Sequence, residues 1–178
     1  MSKLIKFIHR SSLLLAIEMA ATCILSYYAG SAVGNLLQQD THAISPLWCM
    51  ISAILVMQAS WSKSLESGAL RFIGSFAGSL MGYCCFHLFG INPITYCVGV
   101  FLLVVILCYS GHEPYLRLAV LTMSVVFVAA SIHPKNQLEY ISASRLLESA
   151  VGIMITLITR FITIGVHELI DDLIQIKN

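Results

Sequence analysis

Charged residues are scarce in this 178-residue chain: lysine, arginine, aspartate and glutamate together make up only 11% of it. A soluble globular domain usually carries about 25% charged residues. The low charge, the 58% hydrophobic content and several long apolar runs therefore predict an all-α membrane protein. The net charge of +1 provides no basic surface, so we expect no nucleic-acid partner.

Enzyme and metal motifs are also missing. The sequence contains no phosphate-binding loop, no dinucleotide-binding fingerprint and no nucleophile elbow. His167-Glu168-x-x-Asp171 lacks the second histidine that the zinc motif H-E-x-x-H requires. The six cysteines have no metal-ligand spacing, which favours a role as small buried apolar residues. We therefore expect no catalytic activity, no metal and no cofactor, and no ATP-driven transport by this chain itself.

Six apolar segments predict one transmembrane domain over residues 1–178 with six helices. We place the first two helices at residues 11–37 and 47–60. The third helix follows the polar connection 62–67 and ends at residue 89. The last three helices are placed at residues 93–109, 115–132 and 142–166. The first is interpreted as a retained transmembrane helix, because it is longer than the core of a signal peptide. Lysine and arginine lie mostly in the loops on the N-terminal side, which predicts that both termini are cytoplasmic.

The third predicted helix carries three glycines at four-residue spacing, Gly74, Gly78 and Gly82. Residues four apart lie on nearly the same face of a helix, so these glycines form a groove without side chains. Such faces allow helices to pack closely in lipid. Arg71 lies at the leading edge of this face. In the last helix, Gly152 occupies a position similar to that of a glycine of this face. We expect these four glycines to be packing positions.

An internal repeat is indicated by two matching segments. Both read Arg-x-x-x-Ser-x-x-Gly with apolar residues between, at residues 71–78 and 145–152. The corresponding repeat units would be residues 11–90 and 93–166, with three helices each. An odd number of helices inserts the two units in opposite senses, which is a recurrent architecture of transporters. The alternative is six unrelated helices packed together.

Two motifs in a fixed order carry a family resemblance. They read Pro46-Leu-Trp48-Cys-Met-Ile-Ser52-Ala-Ile-Leu-Val-Met57-Gln58 and Arg71-x-x-Gly74-Ser75-x-x-Gly78. Their order and spacing resemble the fusaric acid resistance and aromatic acid exporter family, over about residues 12–165. Two positions depart from the family pattern. The family often has proline where this chain has Ala59, and threonine where it has Ser75.

The resemblance implies a bacterial inner-membrane transporter that uses the proton gradient to export small aromatic or other organic acids. Family members commonly work with a periplasmic adaptor protein, and larger members duplicate the six-helix unit or add a cytoplasmic domain. We therefore expect this single unit to form a homo-oligomer, with the lipid bilayer and a small organic acid as its other partners. The alternative function is a non-transporting membrane scaffold or a subunit of a larger membrane complex.

Ionisable groups inside a membrane mark either transport pathways or structural pairs, and several candidates occur here. Glu18 is either an acid that exchanges protons or a partner for Arg71 that links the first and third helices. Arg71 and Arg145 could bind an organic carboxylate in a bidentate manner, or extend to the lipid headgroups. Arg145 and Glu148 are spaced to pair along one helix. Gln58 is either a pathway residue or an interfacial anchor.

Overall fold

The computed structural model describes the backbone of residues 2–36, 44–58, 60–132 and 138–176, and the side chains of residues 14–36, 44–58, 60–132 and 138–165. Within these ranges it consists of helices and short connections, with no strand. The six α-helices are α1 (Ser2–Leu36), α2 (Ile44–Val56), α3 (Trp61–Phe89), α4 (Pro93–Tyr109), α5 (Leu116–Ile132) and α6 (Leu138–Ile176). The predicted all-α fold is confirmed.

Four of these helices contain segments long and apolar enough to cross a membrane: Leu14–Leu36, Trp61–Phe89, Glu113–Ile132 and Leu138–Gly165. The third of these segments includes the 3₁₀ turn Glu113–Tyr115 that precedes α5. The chain is therefore an all-α membrane protein. The helices α2 and α4 are equally apolar but have only 13 and 17 residues. A full span needs about 20 residues, so the number of six spans stays a prediction.

The start of α3 differs from the sequence prediction, because residues 62–67 are helical rather than a loop. The Ser60 hydroxyl caps this helix by accepting a hydrogen bond from the backbone N–H of Lys63 at 3.4 Å. Ser64 and Ser67 lie in its first two turns and donate to the carbonyls of Gln58 at 3.3 Å and Leu55 at 2.8 Å. These serines thus satisfy carbonyl groups at the end of α2.

The ends of α4 agree with the prediction over residues 93–109. Pro93 occupies the first turn, where the missing N–H costs nothing. The Asn92 side chain caps the helix by accepting a hydrogen bond from the backbone N–H of Thr95 at 2.8 Å. On the other side of α4, Gly111 has a positive φ of 71°, which suits the predicted turn before α5.

The helices α3 and α6 have the most neighbours. Helix α3 packs against α2, α4, α5 and α6, and helix α6 packs against α1, α2, α3 and α5. Helix α1 packs on α2 and α6, and helix α4 packs on α5 and α3. Exchanging α1–α3 with α4–α6 leaves this set of neighbours unchanged. An inverted repeat has this property, although the duplication itself remains a prediction.

The glycine face of α3 lies against α5 of the same chain. A Cβ atom added at Gly78 would overlap the carbonyl oxygen of Ala119, and one at Gly74 would overlap the Leu118 side chain. At Gly82 the nearest atom is farther away, at 3.3 Å on Val126. On α6, a Cβ atom at Gly152 would overlap the Cys49 carbonyl of α2. Each central helix therefore approaches one partner backbone closely at a glycine.

Candidate functional site

Arg71 and Arg145 are brought together in one small cleft beside the crossing of α3 and α6. The free space in this cleft is about what a single water molecule requires. Helices α2 and α5 complete its walls. The other residues that line it are Trp48, Leu121, Thr122, Val125 and Ser149.

Arg71 is a buried cation, with only 2% of its surface exposed. Its Nε and Nη2 atoms both donate to the hydroxyl of Ser52 at 3.3 Å. Its Nη1 atom has no hydrogen-bond partner among the described side chains, and no carboxylate of that set lies within ion-pair distance of it. A buried charge is costly unless it is paired. Arg71 thus has capacity to bind an anion.

Arg145 is paired with the acid that the sequence predicts. Its Nη2 atom lies 2.9 Å from Oε1 of Glu148, which is fully buried. The guanidinium also lies over the ring of Trp48, 5.9 Å from the centroid. Its Nε and Nη1 atoms have no hydrogen-bond partner in the described part of the chain. Arg145 therefore keeps donors for a further acceptor even while it is paired.

The backbone around this ion pair is held by α2. The Cys49 thiol donates to the carbonyl oxygen of Glu148 at 3.3 Å. About two turns further along α6, the Thr156 hydroxyl donates to the carbonyl of Ala53 at 3.2 Å. These two hydrogen bonds join α6 to α2. They therefore position the Arg145–Glu148 pair next to Trp48 of α2.

Two serines join α3 to α6 beside the cleft. The hydroxyls of Ser75 and Ser149 are 3.2 Å apart, and Thr122 donates to Ser75 at 3.4 Å. Ser75 and Ser149 occupy the same position in the two matching segments of the sequence. Contact between equivalent residues is what a two-fold axis produces. The arginines lie four residues before each serine.

Among the described side chains, the charged groups at the cleft are the guanidinium groups of Arg71 and Arg145 and the carboxylate of Glu148 that pairs with Arg145. In the first matching segment, Gly74 takes the place that Glu148 has in the second. Arg71 therefore has no acid at the equivalent position. The cluster therefore has a formal charge of +1 and matches a ligand with one negative charge.

Of the two predicted roles of Glu18, the pairing with Arg71 was wrong. Its Oε2 atom lies 2.5 Å from Nη1 of Arg160, so the ion pair joins α1 to α6. Both side chains are buried, with 6% of each residue exposed. The sequence pattern did not single out Arg160, so this role was missed. A usable signal was that Gly152, Thr156 and Arg160 recur every fourth residue, on one face of α6.

Gln58 is not part of the cleft. Its side chain is exposed just after α2, and its backbone N–H donates to the Ser64 hydroxyl at 3.0 Å. No group of three or more histidine, cysteine, aspartate or glutamate side chains in the described ranges could hold a metal ion. The chemistry available in the cleft is thus anion binding by two guanidinium groups beside an indole ring.

The family is shown by a match to the model described as fusaric acid resistance protein-like, over residues 26–159. The chain belongs to the fusaric acid resistance protein-like family. Membership is consistent with a role of the transporter or exporter type in a membrane, as the sequence resemblance implied. The cleft residues all lie within the matched range, whereas Glu18 and Arg160 lie outside it.

A curated relative extends this comparison. The chain is 28% identical over 120 residues to a UPF0421 protein of Oceanobacillus iheyensis. This match covers 66% of the chain but only 33% of the relative, so the chain spans about a third of that protein. No solved structure matches the chain.

Proposed function

We propose that this protein exports small organic acids, aromatic acids in particular, across a bacterial inner membrane. The observation that carries the proposal is Arg71, a buried guanidinium without a carboxylate partner among the described side chains, beside a second arginine. A substrate carboxylate would neutralise this charge and accept hydrogen bonds from Arg71 and Arg145. A planar guanidinium can bind both oxygens of such a carboxylate.

The walls of the cleft support an aromatic substrate. Trp48 provides an aromatic face, and Leu121 and Val125 of α5 provide apolar surface in the same cleft. An aromatic ring attached to the carboxylate would be stabilised by stacking and by burial of its apolar area. Because the cleft has room for about one water molecule, substrate binding requires α3 and α6 to move apart. Inverted repeats that rock about their two-fold axis supply such a motion.

Export coupled to proton entry requires the proton and the anion to bind alternately. Protonation of Glu148 would remove the one negative charge in the cleft and strengthen anion binding, so proton and substrate would bind together there. Glu18 lies outside the cleft and is bonded to Arg160 instead. We therefore assign proton coupling to Glu18, whose protonation would weaken the bond between α1 and α6.

The same proposal includes the assembly. Both termini would be cytoplasmic, and the single unit would act as a homo-oligomer in the lipid bilayer. A periplasmic adaptor would complete the path of the acid out of the cell. These partners are proposed from the family resemblance.

A second candidate function is a membrane scaffold that transports nothing. The observation that favours it is the small size of the cleft, since no cavity in it is large enough for an aromatic acid. In that case Arg71 would serve packing, through its two hydrogen bonds to Ser52.

Transport in proteoliposomes with an imposed pH gradient distinguishes these functions. We expect the wild-type protein to move benzoate, salicylate or cinnamate faster when a gradient is present. Arg71→Gln should weaken binding about ten- to a hundredfold, the loss of one charge-assisted interaction. Arg117→Gln is the matched control, because Arg117 is exposed at the start of α5. Absence of transport of any acid by the wild-type protein would favour the scaffold.

The coupling assignment is tested in the same vesicles. Glu18→Gln should leave benzoate binding unchanged and remove the acceleration by the pH gradient, with Glu66→Gln on the exposed face of α3 as the control. The double variant Glu18→Gln/Arg160→Gln removes both charges of the pair. It is measured as well because the single variant Glu18→Gln leaves a buried charge on Arg160 and could misfold for that reason. Retention of the full gradient effect in both variants would overturn the role of Glu18.

A further inference from the structure

A second groove lies between the half of α3 that ends at Phe89 and the half of α6 that begins at Leu138. Its volume is about 390 Å³. The described residues that line it all belong to α3 and α6, whereas the arginine cleft is also bordered by α2 and α5. Phe76 and Leu80 on its rim are each 51% exposed. Because both are on a membrane-spanning helix, the groove opens towards lipid.

Two residues that line this groove carry buried hydroxyl groups without a hydrogen-bond partner in the described part of the chain. Ser79 is 1% exposed and Ser142 is 7% exposed, and both line the groove. Neither Oγ atom has a partner among the described residues. Buried polar groups are nearly always hydrogen-bonded, so the two hydroxyls indicate a ligand that carries hydrogen-bond acceptors.

Helix packing alone does not require these serines. The alignment of the two predicted repeats pairs Ser142 with Gly68 and Ser79 with Ile153. Gly68 and Ile153 are in contact at the opposite end of the α3–α6 pair, where a Cβ atom on the glycine would lie 3.2 Å from Cγ2 of the isoleucine. At the end of the α3–α6 pair where Gly68 and Ile153 meet, an apolar side chain thus fills the space between the helices. At the other end, the hydroxyl residues Ser79 and Ser142 border the groove.

The mouth of the groove is acidic. Tyr83 donates a hydrogen bond to Oε1 of Glu139 at 3.2 Å, and none of the described residues that line the groove is cationic. Along α6 the order is Glu139, then Ser142 about one turn deeper, then Leu146 about one turn deeper again. The groove therefore presents a negative charge, hydrogen-bond donors and apolar surface in sequence from the helix end inwards.

We propose that this groove binds a phospholipid with a primary amine headgroup, such as phosphatidylethanolamine. The ammonium group pairs with Glu139, and the glycerol ester carbonyls accept hydrogen bonds from Ser79 and Ser142. An acyl chain lies along Phe76 and Leu80. The three chemical groups of the lipid follow one another from headgroup to chain in the order that the groove presents. This site is separate from the arginine cleft and is independent of the proposed export activity.

Native mass spectrometry of the full-length protein tests the proposal, after extraction from nanodiscs that contain equal parts of three phospholipids. These are phosphatidylethanolamine, phosphatidylcholine and phosphatidylglycerol. We expect phosphatidylethanolamine to be retained preferentially, and Glu139→Gln to reduce the preference about tenfold. Glu113→Gln, an exposed acid at the start of the 3₁₀ turn, should leave it unchanged. Equal retention of the three lipids, or an unaltered preference in Glu139→Gln, would overturn the proposal.

Two further measurements define the ligand. Ser79→Ile copies the residue that fills the opposite half and should abolish retention. If this variant does not fold, Glu139→Gln still decides, because it changes an exposed side chain. Dodecylamine separates a lipid from a free amphiphilic amine. Binding of dodecylamine without preferential binding of phosphatidylethanolamine would overturn the assignment to a phospholipid.

Discussion

Arg71 and Arg145 occupy equivalent positions in the two matching segments but have different electrostatic surroundings, and stability measurements should detect the difference. Arg145→Gln leaves the buried carboxylate of Glu148 without its cation, which should cost about 3–5 kcal/mol. Arg71→Gln removes a buried charge that has no carboxylate partner in the described residues, so stability should be unchanged or higher. Unfolding of the purified variants in mixed micelles by a denaturing detergent measures both.

The double variant Arg145→Gln/Glu148→Gln is the control for this prediction. It replaces the ion pair by two neutral amides, so it should recover much of the stability that Arg145→Gln loses. A similar loss for Arg71→Gln and Arg145→Gln would contradict the conclusion that, of these two arginines, Arg145 alone has an acidic partner in the described part of the chain.

The sequence was sufficient to select candidate charged residues, but it was less informative about which of them pair with each other. The spacing of Arg145 and Glu148 predicts their contact because both lie on one helix. The partner of Glu18 depends on which helix packs against α1 and how it is rotated. The four-residue spacing of Gly152, Thr156 and Arg160 indicates one face of α6 but not which helix covers that face. Arg71 was therefore considered as the partner, and Arg160 is observed.

At the level of the helices, the closest approaches occur at glycines, and substitution by alanine tests them. A methyl group at Gly78 would overlap the Ala119 carbonyl, so α3 and α5 must separate. We expect Gly78→Ala to destabilise the protein by about 1–3 kcal/mol. Gly165→Ala is the matched control on α6, since no atom lies within 4 Å of the added Cβ. It should stabilise the helix by up to about 1 kcal/mol, and equal effects of the two changes would contradict the packing.

Helix ends were predictable where the signals are local. Asn92 and Pro93 mark the start of α4 because capping depends on the next few residues only. The start of α3 was missed because Ser64 and Ser67 are typical loop residues. In the structure their hydroxyls bond to carbonyls of α2, and this pairing depends on the contact between two helices.

For the whole molecule, composition was sufficient to predict the class of fold, since low charge and long apolar segments leave few alternatives to a helical membrane protein. The cleft could not be predicted from the sequence, because it forms only when α2, α3, α5 and α6 assemble. The matching segments carried part of this information. They paired Ser75 with Ser149 in the sequence, and these two residues meet at the crossing of α3 and α6.

The orientation of the molecule decides the direction of the proposed transport, and cysteine labelling measures it. In a variant without native cysteines, Glu113→Cys between α4 and α5 should react only from the cytoplasmic side. Ile91→Cys between α3 and α4 should react only from the outside. This orientation places the Glu18–Arg160 pair towards the cytoplasm and the groove at Glu139 towards the outer leaflet. The reverse labelling pattern would contradict the predicted topology. The pair would then face incoming protons directly, and Glu18 would act at the entry of the proton path instead of its exit.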